Sequence, residues 1–150
     1  MAFFLRHRWL TAFLILGILH WIVNPSGRFG ITVGRFFVYN RVPIALFDVY
    51  IDTGNHISVL GDITEHVTEA KWFSEMFGPV LSGAGNKPEV LLVGTGFSKK
   101  SGFRIEQGNR HAIEFKGVQV VQVPSREAIR RYNRAKEENK PVAILLRAKN

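Results

Sequence analysis

The stretch Glu89–Gly96, with the sequence Glu-Val-Leu-Leu-Val-Gly-Thr-Gly, constrains the fold of this chain more than any other. Its four consecutive apolar residues, Val90–Val93, are typical of a strand that is buried on both faces, as in a parallel sheet. Gly94 and Gly96 follow at once and let the backbone turn sharply where a side chain would clash. We therefore predict a central strand that ends in a glycine turn.

The residues after this turn predict a helix followed by a second strand. The helix is expected to begin at residue 103 or 105 and to end at 116, with Ala112 and Phe115 facing the core. Gly117 is then its left-handed cap. The valine-rich segment Val118–Val123 is predicted to form the next strand.

A further helix and a last strand complete this half of the chain. Ser125 is predicted to cap the helix, which runs towards Glu138, and Asn139 can take the left-handed position at its end. Val142–Leu146 is the last strand. Because short links join strand, helix, strand, helix and strand in turn, neighbouring strands should be parallel with right-handed crossovers.

The preceding segment predicts more strands and one more helix. Residues 31–39 and 44–52 are rich in strand-forming residues and flank a hairpin turn at 40–43. Residues 55–60 predict a further short strand. A helix with a capping box is expected from Asp62 to about Phe77, before a glycine-rich loop.

The N-terminus differs in character from the rest of the chain. Trp9–Val23 is almost wholly apolar and follows Arg6 and Arg8, so we predict a helix that anchors the protein as a single N-terminal span. As a helix it would be about 22 Å long, shorter than the ~30 Å hydrocarbon core. A cleaved secretory signal and a mitochondrial targeting peptide are the alternatives. We therefore divide the chain into an N-terminal segment, residues 1–28, and a domain, residues 29–150.

Charge and composition narrow the possible functions. The chain lacks cysteine, which excludes disulfides, thiolate catalysis and cysteine-based metal centres. All of the net charge of +8 lies in residues 95–150, which hold 13 Lys and Arg against 5 Asp and Glu. The five histidines have no metal-ligand spacing, so we predict no metal site. Asp48 and Asp52 are expected on the exposed face of a strand, and no catalytic set emerges.

One set of residues, in this order, resembles a known family: Val-Leu-Leu-Val-Gly-Thr-Gly at 90–96, Gly-Val-Gln-Val-Val at 117–121, Ala128, Tyr132-Asn133 and Val142-Ala143. It is similar to the Mth-nine-three-eight-like family, which includes a mitochondrial assembly factor for respiratory complex I. The resemblance covers about residues 29–150. It implies an α/β fold of three layers with a central mixed sheet. The residue patterns predict that this sheet is mainly parallel and that an N-terminal β-hairpin accompanies it. The family offers no catalytic residues to transfer.

The glycine turn is the first candidate site. It has neither the third glycine of a dinucleotide fingerprint nor the Gly-Lys-Ser/Thr of a phosphate-binding loop, so no cofactor is predicted. A generic anion site remains open, in which backbone N–H groups and nearby side chains hold a small anion. Its members would be Gly94, Thr95, Gly96, Lys99, Lys100 and Asn133.

The second candidate site is a basic stripe on the last helix. Arg126, Arg130 and Arg134 recur every four residues and share one face. Ala128, Ile129 and Tyr132 are expected on the buried side of the same helix. The stripe is either a solvated surface or a contact for an acidic partner, an anionic lipid or RNA phosphate. No nucleic-acid motif supports binding of RNA or DNA.

We therefore favour a non-enzymatic accessory or assembly protein that works through protein–protein contacts. The alternatives are an enzymatic or ligand-binding domain for an anionic small molecule at the glycine turn, and weak nucleic-acid binding by the basic half. The identity of the partner is not encoded in any motif.

Overall fold

The computed structural model describes residues 8–45, 47–60, 78, 87–98 and 104–148. Their secondary structure forms two sheets and three helices, in this order: α1 (Arg8–Val23), β1 (Phe29–Val33), β2 (Phe36–Tyr39), β3 (Val42–Ala45), β4 (Asp48–Ile51), β5 (Ile57–Leu60), β6 (Val90–Gly94), α2 (Gln107–Phe115), β7 (Gln119–Val123), α3 (Ser125–Glu137) and β8 (Val142–Leu146). The predicted helix at 62–77 and most of the glycine-rich loop lie outside the described residues.

The larger sheet has the strand order β5-β4-β8-β6-β7. Strand β6 pairs in parallel with both β7 and β8, as the links predicted. Strand β4 pairs antiparallel with β5 and β8. The sheet is therefore mixed, as predicted, but its parallel and antiparallel pairings are equal in number. The middle position belongs to β8 rather than to β6, and all five residues of β8 are buried.

Two apolar clusters cover the two faces of this sheet, because side chains alternate along each strand. Leu91 and Val93 pack with Ile113 of α2 on one face. Leu92 packs with Tyr132 of α3 on the other face, where the smaller sheet β1-β2-β3 also lies. Helix α3 is thereby fixed against the sheet by its apolar side.

Helix α2 faces the core differently from the prediction. Its buried residue is Ile113, whereas Ala112 is exposed and Phe115 is 89% exposed. The helix has only nine residues, so the docking of the neighbouring buried residues Ile105 and Val118 decides its orientation more than its own short pattern does. Gly117 has φ +76°, which confirms the left-handed position at its end.

The smaller sheet is a three-stranded meander rather than a single hairpin. Gly34, with φ +59°, breaks the predicted strand 31–39 into β1 and β2. Asn40 and Arg41 both have positive φ and join β2 to β3 as a two-residue turn. Positive φ at both central positions is the geometry that matches the twist of paired strands. The predicted hairpin is thus present between β2 and β3.

Buried aromatic rings attach the meander to helix α3. Phe29 contacts Tyr39 and Tyr132, with ring centroids 4.9 and 5.4 Å apart. The hydroxyl oxygens of Tyr39 and Tyr132 lie 2.9 Å apart, and Tyr39 donates to Asn55 Oδ1 at 3.0 Å. Burial raises the pKa of both tyrosines, so both stay protonated and can donate at neutral pH.

Helix α1 overturns the predicted membrane anchor. Across the described residues, no helix combines the length and the apolar character that crossing a bilayer requires. The predicted single span at Trp9–Val23 is therefore wrong: α1 has 16 residues, about 24 Å at 1.5 Å per residue. The predicted domain boundary at residue 28 stays a prediction. Just before it, the buried side chain of Asn24 accepts a hydrogen bond from Ile31 N–H at 3.0 Å.

Candidate functional site

The glycine turn after β6 packs tightly against the start of α3. Gly96 has φ +124°, a conformation that favours glycine, as predicted for this turn. A Cβ atom on Gly94 would lie 2.7 Å from Ser125 Oγ and 2.6 Å from Leu146 Cδ2. Gly94 is therefore required by the packing of β6 against α3 and β8, and Gly96 by its backbone conformation.

The backbone N–H groups of this turn donate within the protein. Thr95 N–H donates to Val123 O at 2.9 Å, and Gly96 N–H donates to Ser125 Oγ at 3.0 Å. Ser125 Oγ in turn donates to Arg147 O at 3.1 Å. The prediction that Ser125 caps α3 is wrong, because Pro124 holds that position and the buried hydroxyl serves the turn instead.

The predicted anion site stays a prediction, and only some of its residues are described by the structure. Lys99 and Lys100 lie outside the described residues. The Asn133 side chain is engaged with the backbone of Phe29: it accepts from Phe29 N–H at 2.9 Å and donates to Phe29 O at 2.8 Å. Both polar atoms of this amide are therefore engaged with the backbone of strand β1.

We expect Gly96→Val to lower the free energy of unfolding by about 1–3 kcal/mol, because a β-branched residue is strained at this positive φ. Chemical denaturation followed by circular dichroism measures the change. Gly34→Val is the control. Gly34 also has a positive φ, but nothing lies within 4 Å of the position that its Cβ would take, so this variant measures the effect of backbone strain alone. An unchanged midpoint for Gly96→Val would contradict the turn geometry.

The two strand carboxylates have different environments. Asp48 was predicted to be exposed, but it is 2% exposed and accepts a hydrogen bond from Ala148 N–H at 2.6 Å. Strand β4 has a neighbour on each side and is buried along its length, so alternation leaves it no exposed face. Asp52 lies at the end of β4 and pairs with His56 Nδ1 at 3.0 Å. Within the described part of the chain, no three His, Asp or Glu residues lie together as a metal site would need.

Helix α3 presents the predicted basic stripe to solvent. Arg126, Arg130 and Arg134 are exposed, and the Arg134 side chain retains 81% of its accessible surface. Ala128, Ile129 and Tyr132 are buried, as predicted. The stripe is thus held in place by the packing of the opposite side of the helix.

A second row on α3 was missed in the sequence. Arg131, Arg134, Ala135 and Glu138 follow the spacing i, i+3, i+4 and i+7, which places them on one face. They line a groove of about 380 Å³ between α3 and the strands β6 and β7. The other lining residues are Val90, Leu92, Gln119, Val121, Lys140 and Val142. The spacing of this row was visible in the sequence, but its position beside an open strip of sheet was not.

Ion pairs organise the charged side chains around this groove. Glu127 binds both Arg130 and Arg131, and Glu138 binds both Arg134 and Lys140. Hydrogen bonds lower the pKa of both carboxylates. For Glu127 the larger effect comes from Arg131 and the smaller from Arg130. For Glu138 the larger effect comes from Lys140 and the smaller from Arg134. Two carboxylates thus share four cations, and the surface keeps a positive excess.

The strand order and the two packed faces define a small mixed α/β domain, and solved structures share this fold. One is the solution structure of a Mth938-like domain from Bordetella pertussis, with 17% identity and a TM-score of 0.62 over 85% of this chain and 91% of that chain. An outer membrane protein from Bartonella henselae has 19% identity and a TM-score of 0.60 over 85% and 98%. MT938 has 17% identity and a TM-score of 0.51 over 83% and 100%.

These structures confirm the resemblance to the Mth-nine-three-eight-like family at the level of the fold. The chain has the fold of a Mth938-like domain. No family model and no curated protein matches the sequence. At this level of identity, function must be argued from the surfaces of this chain itself.

Proposed function

We propose that this chain is a non-enzymatic accessory or assembly-type protein that acts through protein–protein contacts made by helix α3. The observation that carries this proposal is the combination of exposed arginines and half-exposed apolar side chains at one place. Val90, Val121 and Ala135 are half-buried and line the groove that Arg131 and Arg134 border. Protein interfaces have this composition, with an apolar centre and arginine enriched around it.

The fixed positions of the arginine side chains support the same proposal. Helix α3 is anchored by Ala128, Ile129 and Tyr132, and ion pairs position Arg131 and Arg134. Binding then costs less side-chain entropy than it would with side chains on a loop. Arginine also forms paired hydrogen bonds with carboxylates, which suits an acidic partner.

The alternative of an anionic small molecule at the glycine turn has less support. The N–H groups of Thr95 and Gly96 already donate inside the protein, and a helix or turn binds anions chiefly through free N–H groups. The same is true of Asn133, whose amide binds the backbone of Phe29. We therefore rank the α3 surface above the turn.

We expect the double substitution Arg130→Glu and Arg134→Glu to abolish recovery of the partner while the fold is kept, since both side chains are exposed. Affinity purification with quantitative mass spectrometry measures recovery, and circular dichroism checks the fold. Lys99→Ala with Lys100→Ala should matter less.

The matched control is Arg110→Glu. Arg110 lies on helix α2, over the opposite face of the sheet, and pairs with Glu114 at spacing i, i+4, as Arg134 pairs with Glu138. Its reversal should leave recovery unchanged. If the two lysines prove essential and the arginines dispensable, the anion-site alternative replaces our proposal.

A further inference from the structure

We infer that the groove beside α3 receives an apolar side chain from an acidic peptide segment of a partner protein. This inference rests on the proposed function and adds to it the part of the surface that selects the partner. The groove combines an aliphatic floor with a cationic rim. Its floor is formed by Val90, Leu92, Val121, Val142 and Ala135.

The floor is open because α3 does not cover the whole sheet. The helix packs chiefly on β6 and β8 and touches β7 only lightly. Leu92 and Val142 are buried under the helix, whereas Val121 of β7 is only partly buried. An aliphatic strip beside α3 is therefore left in contact with solvent, where a partner side chain would gain by covering it.

The size of the groove suits an anchoring side chain. Its volume is about 380 Å³, at the lower end of the roughly 300–1,000 Å³ that is usual for small-molecule pockets. The groove is open to solvent and is not a closed cavity. Such a shape holds one face of an extended or helical segment, with its apolar residue against Val121 and Ala135.

The rim selects an acidic segment. Arg131, Arg134 and Lys140 line the groove, and within the part of the chain that the structure describes Glu138 is the one carboxylate that joins them. The cations are therefore in excess and complement carboxylates on either side of the anchor. Among the described residues that line the groove there is no aromatic ring on which a base would stack, so this lining favours a peptide over single-stranded nucleic acid.

Three synthetic peptides test the inference by NMR titration of the full-length chain. The probe is acetyl-Glu-Glu-Leu-Leu-Glu-Glu-amide; one control replaces both leucines by serine, and the other replaces the four glutamates by lysine. We expect the probe to bind at least tenfold more tightly than either control. It should shift the methyl resonances of Val90, Val121 and Ala135. Equal binding of the probe and the serine peptide would overturn the inference.

Two groove variants complete the test. Ala135→Trp fills the groove and should weaken probe binding at least tenfold. Val121→Gln makes the floor of the groove polar and should weaken probe binding severalfold. It takes the place of Ala135→Trp in the test if that variant fails to fold. Arg110→Glu is again the control and should leave probe binding unchanged. Probe binding that withstands both groove variants would place the anchor elsewhere and overturn the inference.

The outcome separates this inference from the proposed function. Loss of the partner with the arginine reversals, together with unchanged recovery in Ala135→Trp and Val121→Gln, would retain the arginine surface and reject the groove. A uridine hexamer that shifts the same methyl groups and displaces the probe would also reject it, in favour of nucleic acid.

Discussion

Replacing Gly94 with valine should lower the free energy of unfolding by about 3 kcal/mol, the upper part of the range for overpacked sites. A Cβ atom at this position would lie 2.6 Å from Leu146 Cδ2, 2.7 Å from Ser125 Oγ and 3.0 Å from Ser125 Cα. The last of these is a backbone atom of α3, and Ser125 Oγ is tied to Gly96 and Arg147 by hydrogen bonds. The contacts cannot relax without moving α3 away from β6. Urea denaturation of the purified protein measures the loss.

Gly108→Val is the matched control for this change. Gly108 lies in the first turn of α2, and nothing lies within 4 Å of the position that its Cβ would take. Valine is a better helix former than glycine by a few tenths of a kcal/mol, so this variant should be neutral or slightly stabilised. Equal denaturation midpoints for the two variants would show that β6 and α3 are not in contact at Gly94.

Asn133→Leu should lower the free energy of unfolding by about 2–4 kcal/mol, because it leaves two part-buried backbone groups without partners at roughly 1–2 kcal/mol each. The Asn133 amide binds both the N–H and the C=O of Phe29, which is 2% exposed. These two hydrogen bonds join strand β1 to helix α3. Thermal and urea denaturation followed by circular dichroism report the change.

Asn133→Asp is a graded control, since a carboxylate still accepts from Phe29 N–H but cannot donate to Phe29 O at neutral pH. Its loss of stability should be intermediate. Unchanged stability in Asn133→Leu would show that these two hydrogen bonds do not stabilise the fold and that the side chain is available to a ligand.

The order of elements after residue 89 was determined by the sequence alone. Three local patterns predicted these elements. Continuous apolar runs mark β6 and β8, the apolar residues of α3 recur at helical spacing, and residues with a left-handed conformation end the helices. Gly117 and Asn139 have φ of +76° and +54°, and Gly96 has φ of +124°. These conformations follow from short-range sterics, so neighbouring residues suffice to predict them. The basic stripe at Arg126, Arg130 and Arg134 was also predictable from local pattern, because residues i, i+4 and i+8 lie on one face of a helix.

Only the tertiary structure decided which surfaces are covered. Asp48 is buried because β4 lies between β5 and β8, and its hydrogen-bond partner Ala148 is 100 residues away. Ser125 serves the glycine turn because β6 ends against α3. The middle place of β8 and the groove at Arg131 and Ala135 likewise depend on strand order. Periodicity tells which residues share a face, but the element that packs on that face comes from elsewhere in the chain. Burial is therefore a property of the assembled fold, and the function of a surface depends on burial.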